Sequence, residues 1–225
     1  MPNHVTHRMQ IFGSESDRSA FEAAHFVNGG LDFQTIIPQP PSVTATDSST
    51  SVELWFYVIT GTFPPSAWKF GRPSLRQYGC VPNTIKTAAE LEPWLAKKEP
   101  NGRAKAEAMI ACLRETGHDS WYEWCVEHWG TKWNAYSCRA IEHKDGVSVV
   151  TFETAWRPPI PVFAELAKRW PGLIFDVTSY DDGDNFACEG QFNGRNDYRR
   201  VAVSPELYER TYGHKRPTDE ESDDA

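Results

Sequence analysis

The stretch 128–161 constrains the fold of this chain more than any other part of it. It reads HWGTKWNAYSCRAIEHKDGVSVVTFETAWRPPIP, and its apolar pattern changes from helical spacing to alternation and back. The pair Asp145-Gly146 is typical of a tight hairpin turn, so we predict strands at 136–142 and 147–156. The prolines that follow end the second strand and open a helix.

The elements on either side extend this pattern. Residues 5–12 and 31–37 alternate, and a capped helical segment at 15–28 separates them, which predicts a strand-helix-strand unit with parallel pairing. After the hairpin we expect a helix and two further strands, at 160–170, 173–180 and 185–192. Two helices on one face of a mostly antiparallel sheet predict an α+β fold, a ferredoxin-like sandwich.

A mainly helical insertion interrupts the sheet-forming sequence. Residues 43–129 contain two capping boxes and apolar residues at helical spacing, and their segment 52–60 has the aromatic and β-branched residues that favour a strand. We therefore assign 1–42 and 130–203 to the ferredoxin-like core, and 43–129 to an insertion with one strand and several helices. Residues 204–225 are assigned to an acidic tail, which we expect to form a short helix at most beyond Pro205 and to be disordered after it.

Charge and hydropathy argue against several classes of protein. The formal net charge is −8, but five of the acidic residues follow Thr218, so the body of the chain is only mildly acidic. That balance argues against bulk binding to a polyphosphate, which needs a basic stripe. No apolar run approaches the roughly 20 residues that span a bilayer, and no signal-peptide pattern opens the chain. We therefore expect a cytoplasmic protein without a membrane partner.

The cysteines give no sign of a metal or redox site. The five are odd in number and none has Cys-x-x-Cys spacing, which predicts reduced and mostly buried thiols. Cys125 and His128 could lie on one helix face as two metal ligands, but no second pair follows nearby. We predict no metal and no cofactor.

Several short motifs resemble one known family. The run 128–135, HWGTKWNA, resembles the signature of the YubB ferredoxin-like family, which is met mostly on bacterial plasmids and phages. Five further segments resemble other motifs of that family and occur in the same order. They are Asn3-His4-Val5, 32–38, 152–159, 173–175 and 180–187. The resemblance covers about 1–42 and 128–193. It implies a ferredoxin-like fold and a mobile-element protein in the cytoplasm of a bacterial host, and it implies no activity.

The signature contains residues that suit ligand binding. Lys132, Trp133 and Asn134 can line a cleft together with Trp156 and Arg157, which end the neighbouring strand. A cation, a planar amide and aromatic faces suit a phosphate, a nucleotide base or a carboxylate. In the structural alternative, the tryptophans of the signature anchor the insertion to the sheet, and its asparagine supports a turn.

Catalysis is less strongly indicated. Glu153 and His128 are secondary candidates, because either side chain could act as a general base. No nucleophile elbow, phosphate loop or paired metal-ligand motif accompanies them in the sequence, so we assign no catalytic residues.

Three functions follow as hypotheses. The one we favour is a non-catalytic binding module of a plasmid or phage, which contacts a partner protein. The second is a nucleotide or nucleic-acid binder that uses the aromatic and basic cleft. The third is an enzyme of unknown type. Binding that weakens steeply with salt would distinguish the second hypothesis from the first.

Overall fold

The structure, a computed structural model, describes residues 3–216. The chain divides into two compact units, which we call the sheet unit (1–38 and 128–225) and the helical unit (39–127). In chain order, the elements are β1 (His4–Phe12), α1 (Glu15–His25), β2 (Phe26–Val27), β3 (Gly30–Leu31), α2 (Pro41–Thr44), α3 (Thr50–Thr60), α4 (Ala88–Lys98), α5 (Gly102–Thr116), α6 (Trp121–His128), β4 (Glu142–Lys144), β5 (Val147–Ala155), α7 (Ile160–Arg169), β6 (Ile174–Asp181), β7 (Ala187–Phe192), β8 (Arg199–Val201) and α8 (Pro205–Tyr212).

The main sheet of the sheet unit has six strands in the order β4-β5-β1-β6-β7-β8, and all its neighbours are antiparallel. β1 lies between β5 and β6, so that Met9 is opposite both Val150 and Val177. Because side chains alternate across a strand, these three residues share one face of the sheet. All three are fully buried, and this face forms the core of the sheet unit.

Helices α1 and α7 pack on that core face. Phe21 of α1 contacts Phe175 of β6, and Phe163 of α7 contacts Phe152 of β5. All four rings are at most 1% exposed. The predicted arrangement, two helices on one face of a mostly antiparallel sheet, is confirmed.

The opposite face of the sheet carries helix α8. The Ser204 side chain accepts a hydrogen bond from the backbone N–H of Leu207, and Leu207 packs against Tyr180 and Ala187 of the sheet. The short helix expected beyond Pro205 is therefore confirmed, whereas the assignment of all of 204–225 to a disordered tail is wrong for 205–212. The acidic residues of that predicted tail, from 217 onwards, lie outside the described residues.

The predicted parallel strand at 31–37 is wrong. β2 and β3 form a short antiparallel hairpin, and residues 33–35 form a 3-10 turn. The Asp32 side chain accepts a hydrogen bond from the Gln34 N–H, which starts the turn, and Phe33 and Ile36 are buried three residues apart. The Asp32 cap and the burial of residues three apart therefore favour a 3-10 turn here, although the alternating sequence pattern predicted a strand.

The strand predicted at 52–60 is also wrong, because these residues belong to helix α3. Val52, Trp55 and Phe56 are buried at helical spacing, and Leu54 is buried as well. They pack with buried residues of α4 and α5 in a separate core of the helical unit. β-branched and aromatic residues favour strands only weakly, and packing on several sides decides the outcome here.

The hairpin at the centre of the sequence is present but shorter than predicted. Asp145 (φ 51°) and Gly146 (φ 74°) form the turn with the two positive φ angles that such a pair favours. Of the predicted first strand, 136–142, only Glu142 lies in β4, while Tyr136 meets Glu153 through an isolated bridge. Between them, the Arg139 N–H donates a hydrogen bond to the Thr151 carbonyl oxygen of β5 at 2.9 Å, so the segment follows β5 without forming a regular strand.

Two further expectations concern thiols and membranes. All five cysteines are free, and Cys112, Cys125 and Cys188 are buried, in agreement with the prediction of reduced thiols. None of the helices within the described residues combines the length and the hydrophobicity needed to cross a bilayer.

Candidate binding site at the end of strand β5

The ammonium group of Lys132 lies between two tryptophan rings. Its Nζ is 3.7 Å from the ring centroid of Trp133 and 4.0 Å from that of Trp156. The two tryptophans are 41% and 40% exposed, whereas Trp129 of the same signature is 3% exposed. The structure thus brings three predicted site residues together through cation–π contacts. We call Trp133, Lys132 and Trp156 the Trp–Lys–Trp cluster.

The backbone around the cluster is held in place on both sides. The Thr131 hydroxyl donates a hydrogen bond to the Ala155 carbonyl oxygen at 2.8 Å, which ties the signature to the end of β5. Gly130 has a φ of +82°, and a Cβ at this position would lie 2.9 Å from Pro161 Cδ. Glycine therefore allows both the left-handed turn and the close approach to the start of α7.

Trp156 has a strained backbone. Its φ is +70°, in the left-handed region that bulky side chains rarely adopt. Its N–H donates a hydrogen bond to the Asn3 carbonyl oxygen at 3.0 Å. This conformation costs roughly 1–2 kcal/mol, and the ring remains exposed. Trp156 thus combines a strained backbone with a ring that is largely open to solvent.

Lys132 has no carboxylate partner among residues 3–216, and its charge faces aromatic rings instead. Partial burial lowers the pKa of Lys132. An ammonium group that is partly removed from water but not paired with an acid is able to donate hydrogen bonds to an outside acceptor, such as a carboxylate.

Next to Trp133 lies a polar group of residues, one of which is the secondary candidate Glu153. The rings of Trp133 and Tyr136 are 6.3 Å apart, and the Tyr136 hydroxyl is 2.8 Å from His4 Nδ1. A Glu153 carboxylate oxygen is 3.6 Å from the same nitrogen. Burial, with the nearby charges of Glu153 and Asp182, raises the pKa of Tyr136 to about 12. The phenol therefore stays protonated at neutral pH and is not an activated nucleophile.

Asn134 is used to hold a loop, as the structural alternative predicts. Its Oδ1 accepts hydrogen bonds from the N–H groups of Phe33 and Ala135, at 2.8 and 2.9 Å. Its Nδ2 donates to Asp32 Oδ1 at 2.6 Å. With these contacts, Asn134 fastens the 3-10 turn to the signature, and its amide is largely occupied.

The two other predicted residues lie next to the cluster in sequence. Arg157 directly follows Trp156 and is exposed, and its carbonyl oxygen accepts a hydrogen bond from the Thr154 hydroxyl at 2.7 Å. His128, which is half-buried, is the last residue of α6. A ligand-binding role for either side chain stays a prediction.

A buried chain of hydrogen bonds reaches the candidate site from the core. It contains four contacts of 2.7 Å each, which link Tyr198, Ser179, His7, Thr154 and the Arg157 carbonyl oxygen. Since the Thr154 hydroxyl gives its hydrogen to that carbonyl, His7 Nε2 must be the donor to Thr154, and Nδ1 the acceptor from Ser179. Burial lowers the pKa of His7 to about 3, so the ring is neutral. The chain fixes the turn that carries Trp156 and Arg157.

Sequence reasoning did not find the roles of Tyr136, His4 and Thr154. Tyr136 stands in an irregular segment, and its contact with His4 joins positions 132 residues apart. The pairing of β1 with β5 brings these residues together. Thr154 is opposite Val5, and Glu153, which forms the isolated bridge with Tyr136, is opposite Thr6. Correct pairing of β1 with β5 is the signal that would have identified them.

One family model matches the chain and supports the fold. Residues 132–221 match the family model described as the ferredoxin-like domain in Api92-like protein. The crystal structure of protein Api92 from Yersinia pseudotuberculosis is similar, with a TM-score of 0.44 and 9% identity over 91% of this chain and 100% of that chain. No curated protein matches the chain. The match to this family model agrees with the predicted ferredoxin-like α+β fold.

Proposed function

We propose that this chain is a non-catalytic interaction module that binds a partner protein through the Trp–Lys–Trp cluster. The observation that carries the proposal is Trp156, whose ring stays exposed although its backbone is strained. Backbone strain of this kind is found mostly at functional sites. Tryptophans at the centre of protein interfaces also contribute much of the binding energy.

The chemistry of the cluster favours a partner segment with an acidic residue beside an apolar one. The unpaired ammonium group of Lys132 suits a carboxylate. The faces of Trp133 and Trp156 suit apolar or aromatic side chains. Ile160, which is 48% exposed, begins α7 close to the signature, since its backbone nitrogen would lie 3.4 Å from a Cβ on Gly130. Because Lys132 is partly buried, it is already partly desolvated, and an incoming carboxylate displaces less water from it than from a fully exposed lysine.

A nucleic-acid partner is the second candidate, and the cluster is the feature that favours it. Exposed aromatic rings next to a cation can stack on unpaired bases. The sheet surface that binds RNA in other ferredoxin-like domains is a poorer candidate here, because α8 packs on it. The net charge of −8 and the single lysine of the cluster favour a protein over a polyanion.

The biological setting is also part of the proposal. The motifs that resemble the YubB family suggest a protein of a plasmid or phage, which acts in the cytoplasm of a bacterial host. Catalysis is disfavoured, because the pKa of Tyr136, the phenol beside Trp133, is raised rather than lowered.

Selection from a random peptide display library tests the chemistry of the site. We expect the wild-type chain to enrich peptides in which Asp or Glu stands beside an aromatic or aliphatic residue. Lys132→Ala and Trp133→Ala should each weaken binding of a selected peptide roughly tenfold or more, since both remove central contacts. Trp68→Ala is the matched control, because Trp68 is 51% exposed in the helical unit and should not affect binding.

Two results of this experiment would contradict the proposal. One is enrichment of the same acidic peptides by the Lys132→Ala variant. The other is the absence of selected peptides combined with binding of a single-stranded oligonucleotide that requires Trp133 and weakens steeply with salt. The second result would assign the cluster to nucleic acid.

A further inference from the structure

A small cavity lies within the sheet unit, between the main sheet and helix α8. Its volume is about 250 Å³, and it opens on the face of the sheet opposite α1 and α7. Strands β1 and β6 and helix α8 supply its lining, which includes Arg8, Gln10, Asp176, Thr178, Glu209 and Arg210. A cavity of this size is smaller than the usual site of a drug-sized ligand, so only a small molecule fits it.

Arg8 differs from the other arginines on this face. Arg195 and Arg199 pair with Asp197, at 3.2 and 3.8 Å, and Arg210 forms a short ion pair of 2.6 Å with Glu189. Arg8 is half-buried on the central strand, and it has neither an ion pair nor a side-chain hydrogen bond within the described part of the chain. A guanidinium group in this position has donors that are ready for a bound anion.

A second polar group beside Arg8 also lacks a partner. Thr178 lies directly opposite Arg8 in the β1–β6 register, so both side chains point to the α8 face. The Thr178 residue is 5% exposed, and its hydroxyl oxygen is buried with no hydrogen-bond partner within residues 3–216. Buried hydroxyls are nearly always hydrogen-bonded, so the unpaired Thr178 hydroxyl in the wall of the cavity is available to a small ligand.

The end of helix α8 explains only part of this arrangement. A Cβ on Gly213, which ends the helix, would lie 3.9 Å from Arg8 Nη1, so the guanidinium is near the negative end of the helix dipole. This attraction stabilises the charge, but it leaves the directional N–H groups unused. It also does nothing for the Thr178 hydroxyl.

Acidic groups in the same lining narrow the choice of ligand. Asp176 uses Oδ2 to accept a hydrogen bond from Gln191 at 2.6 Å, which leaves its Oδ1 available. Glu209 lies on the α8 side of the cavity. A plain anion would be repelled by two carboxylates, whereas a molecule that also has an ammonium group would be attracted by them.

We propose that this cavity binds a free amino acid, with its carboxylate on Arg8 and Thr178 and its ammonium group on Asp176 and Glu209. In this arrangement the unpaired donors of the cavity bind the carboxylate of the ligand, and the available carboxylates of the cavity bind its ammonium group. It is independent of the Trp–Lys–Trp cluster, because the two sites share no residue.

Calorimetric titration of the full-length chain with each standard amino acid tests the assignment. We expect at least one small amino acid to bind, and its N-acetyl and amide derivatives, which lack one charge each, to bind much more weakly. Arg8→Met should reduce the affinity roughly tenfold or more, because charge-assisted hydrogen bonds are lost. Thr178→Val keeps the shape of the side chain and should also weaken binding, while its melting temperature stays the same or rises.

The control is Arg199→Ala, which removes a paired arginine outside the cavity lining and should leave the affinity unchanged. Three results would overturn the assignment. In the first, no amino acid binds the wild-type chain at millimolar concentration. In the second, Arg8→Met and Thr178→Val bind as the wild type does. In the third, acetate binds as tightly as the amino acid, which would show that the ammonium group is not recognised.

Discussion

Replacing Trp129 with alanine is expected to lower the free energy of unfolding by about 3–5 kcal/mol. Trp129 is 3% exposed, and its ring packs edge-on against that of Phe33. Its Nε1–H donates a hydrogen bond to the Ile37 carbonyl oxygen at 2.9 Å. The substitution removes a large buried ring and leaves this acceptor without its partner, so two losses add up. Urea unfolding at neutral pH measures the effect.

Trp133→Ala is the matched comparison, because it alters the same signature at a position that is 41% exposed. We expect it to cost about 1 kcal/mol or less, since the lost contacts are one edge-on ring and a cation–π pair at the surface. Similar losses for the two variants would contradict the division of the signature into a buried anchor and an exposed binding residue.

The stability of the fold is expected to fall as the pH decreases from about 6.5, because of His7. Burial lowers the pKa of folded His7 from 6.5 to about 3. Above pH 6.5 the His7 ring is neutral in the folded and in the unfolded protein. Between pH 6.5 and about 3, His7 takes up a proton only in the unfolded protein. The free energy of unfolding should therefore decrease by about 1.4 kcal/mol per pH unit in this window, or roughly 3 kcal/mol by pH 4. His25, whose pKa is lowered by burial and by the charge of Arg169, acts in the same direction.

Urea unfolding at several pH values between about 4 and 7 measures this dependence. His7→Phe should be less stable at neutral pH, because Ser179 and Thr154 each lose a hydrogen bond, but its stability should depend less steeply on pH. His143→Gln is the control, since the His143 side chain is 64% exposed and should keep the wild-type slope. A His7→Phe variant with the wild-type slope would show that this histidine does not govern the acid sensitivity.

The parts of the structure that short-range sequence patterns determine were predictable. The Asp145-Gly146 turn, α7 and the contact of Lys132 with Trp133 depend on residues close together in the chain, and the predicted hairpin accounts for the approach of Trp156 to them. Helix α3 was not predictable in this way. Its residues have the intrinsic preferences of a strand, and the helix is favoured by contacts with α4 and α5, which follow much later in the sequence.

The cavity under α8 shows a different limit of sequence reasoning. Arg8 and Thr178 are 170 residues apart, and nothing in either local sequence distinguishes an unpaired side chain from a paired one. Their meeting depends on the register of β1 and β6, in which a shift of one residue would turn both to the other face. The position of α8 matters equally, and the sequence predicted a short helix at most beyond Pro205, without its place on the sheet.

Site-specific photo-crosslinking tests the central proposal most directly. A photoreactive amino acid at position 160, an exposed site at the start of α7, would be compared with one at position 68 in the helical unit. In nuclease-treated cells of the source organism, we predict a discrete protein adduct at position 160 that Lys132→Glu abolishes, and no such adduct at position 68. An adduct at position 160 that survives Lys132→Glu, or one that nuclease removes, would contradict binding of a partner protein by the Trp–Lys–Trp cluster.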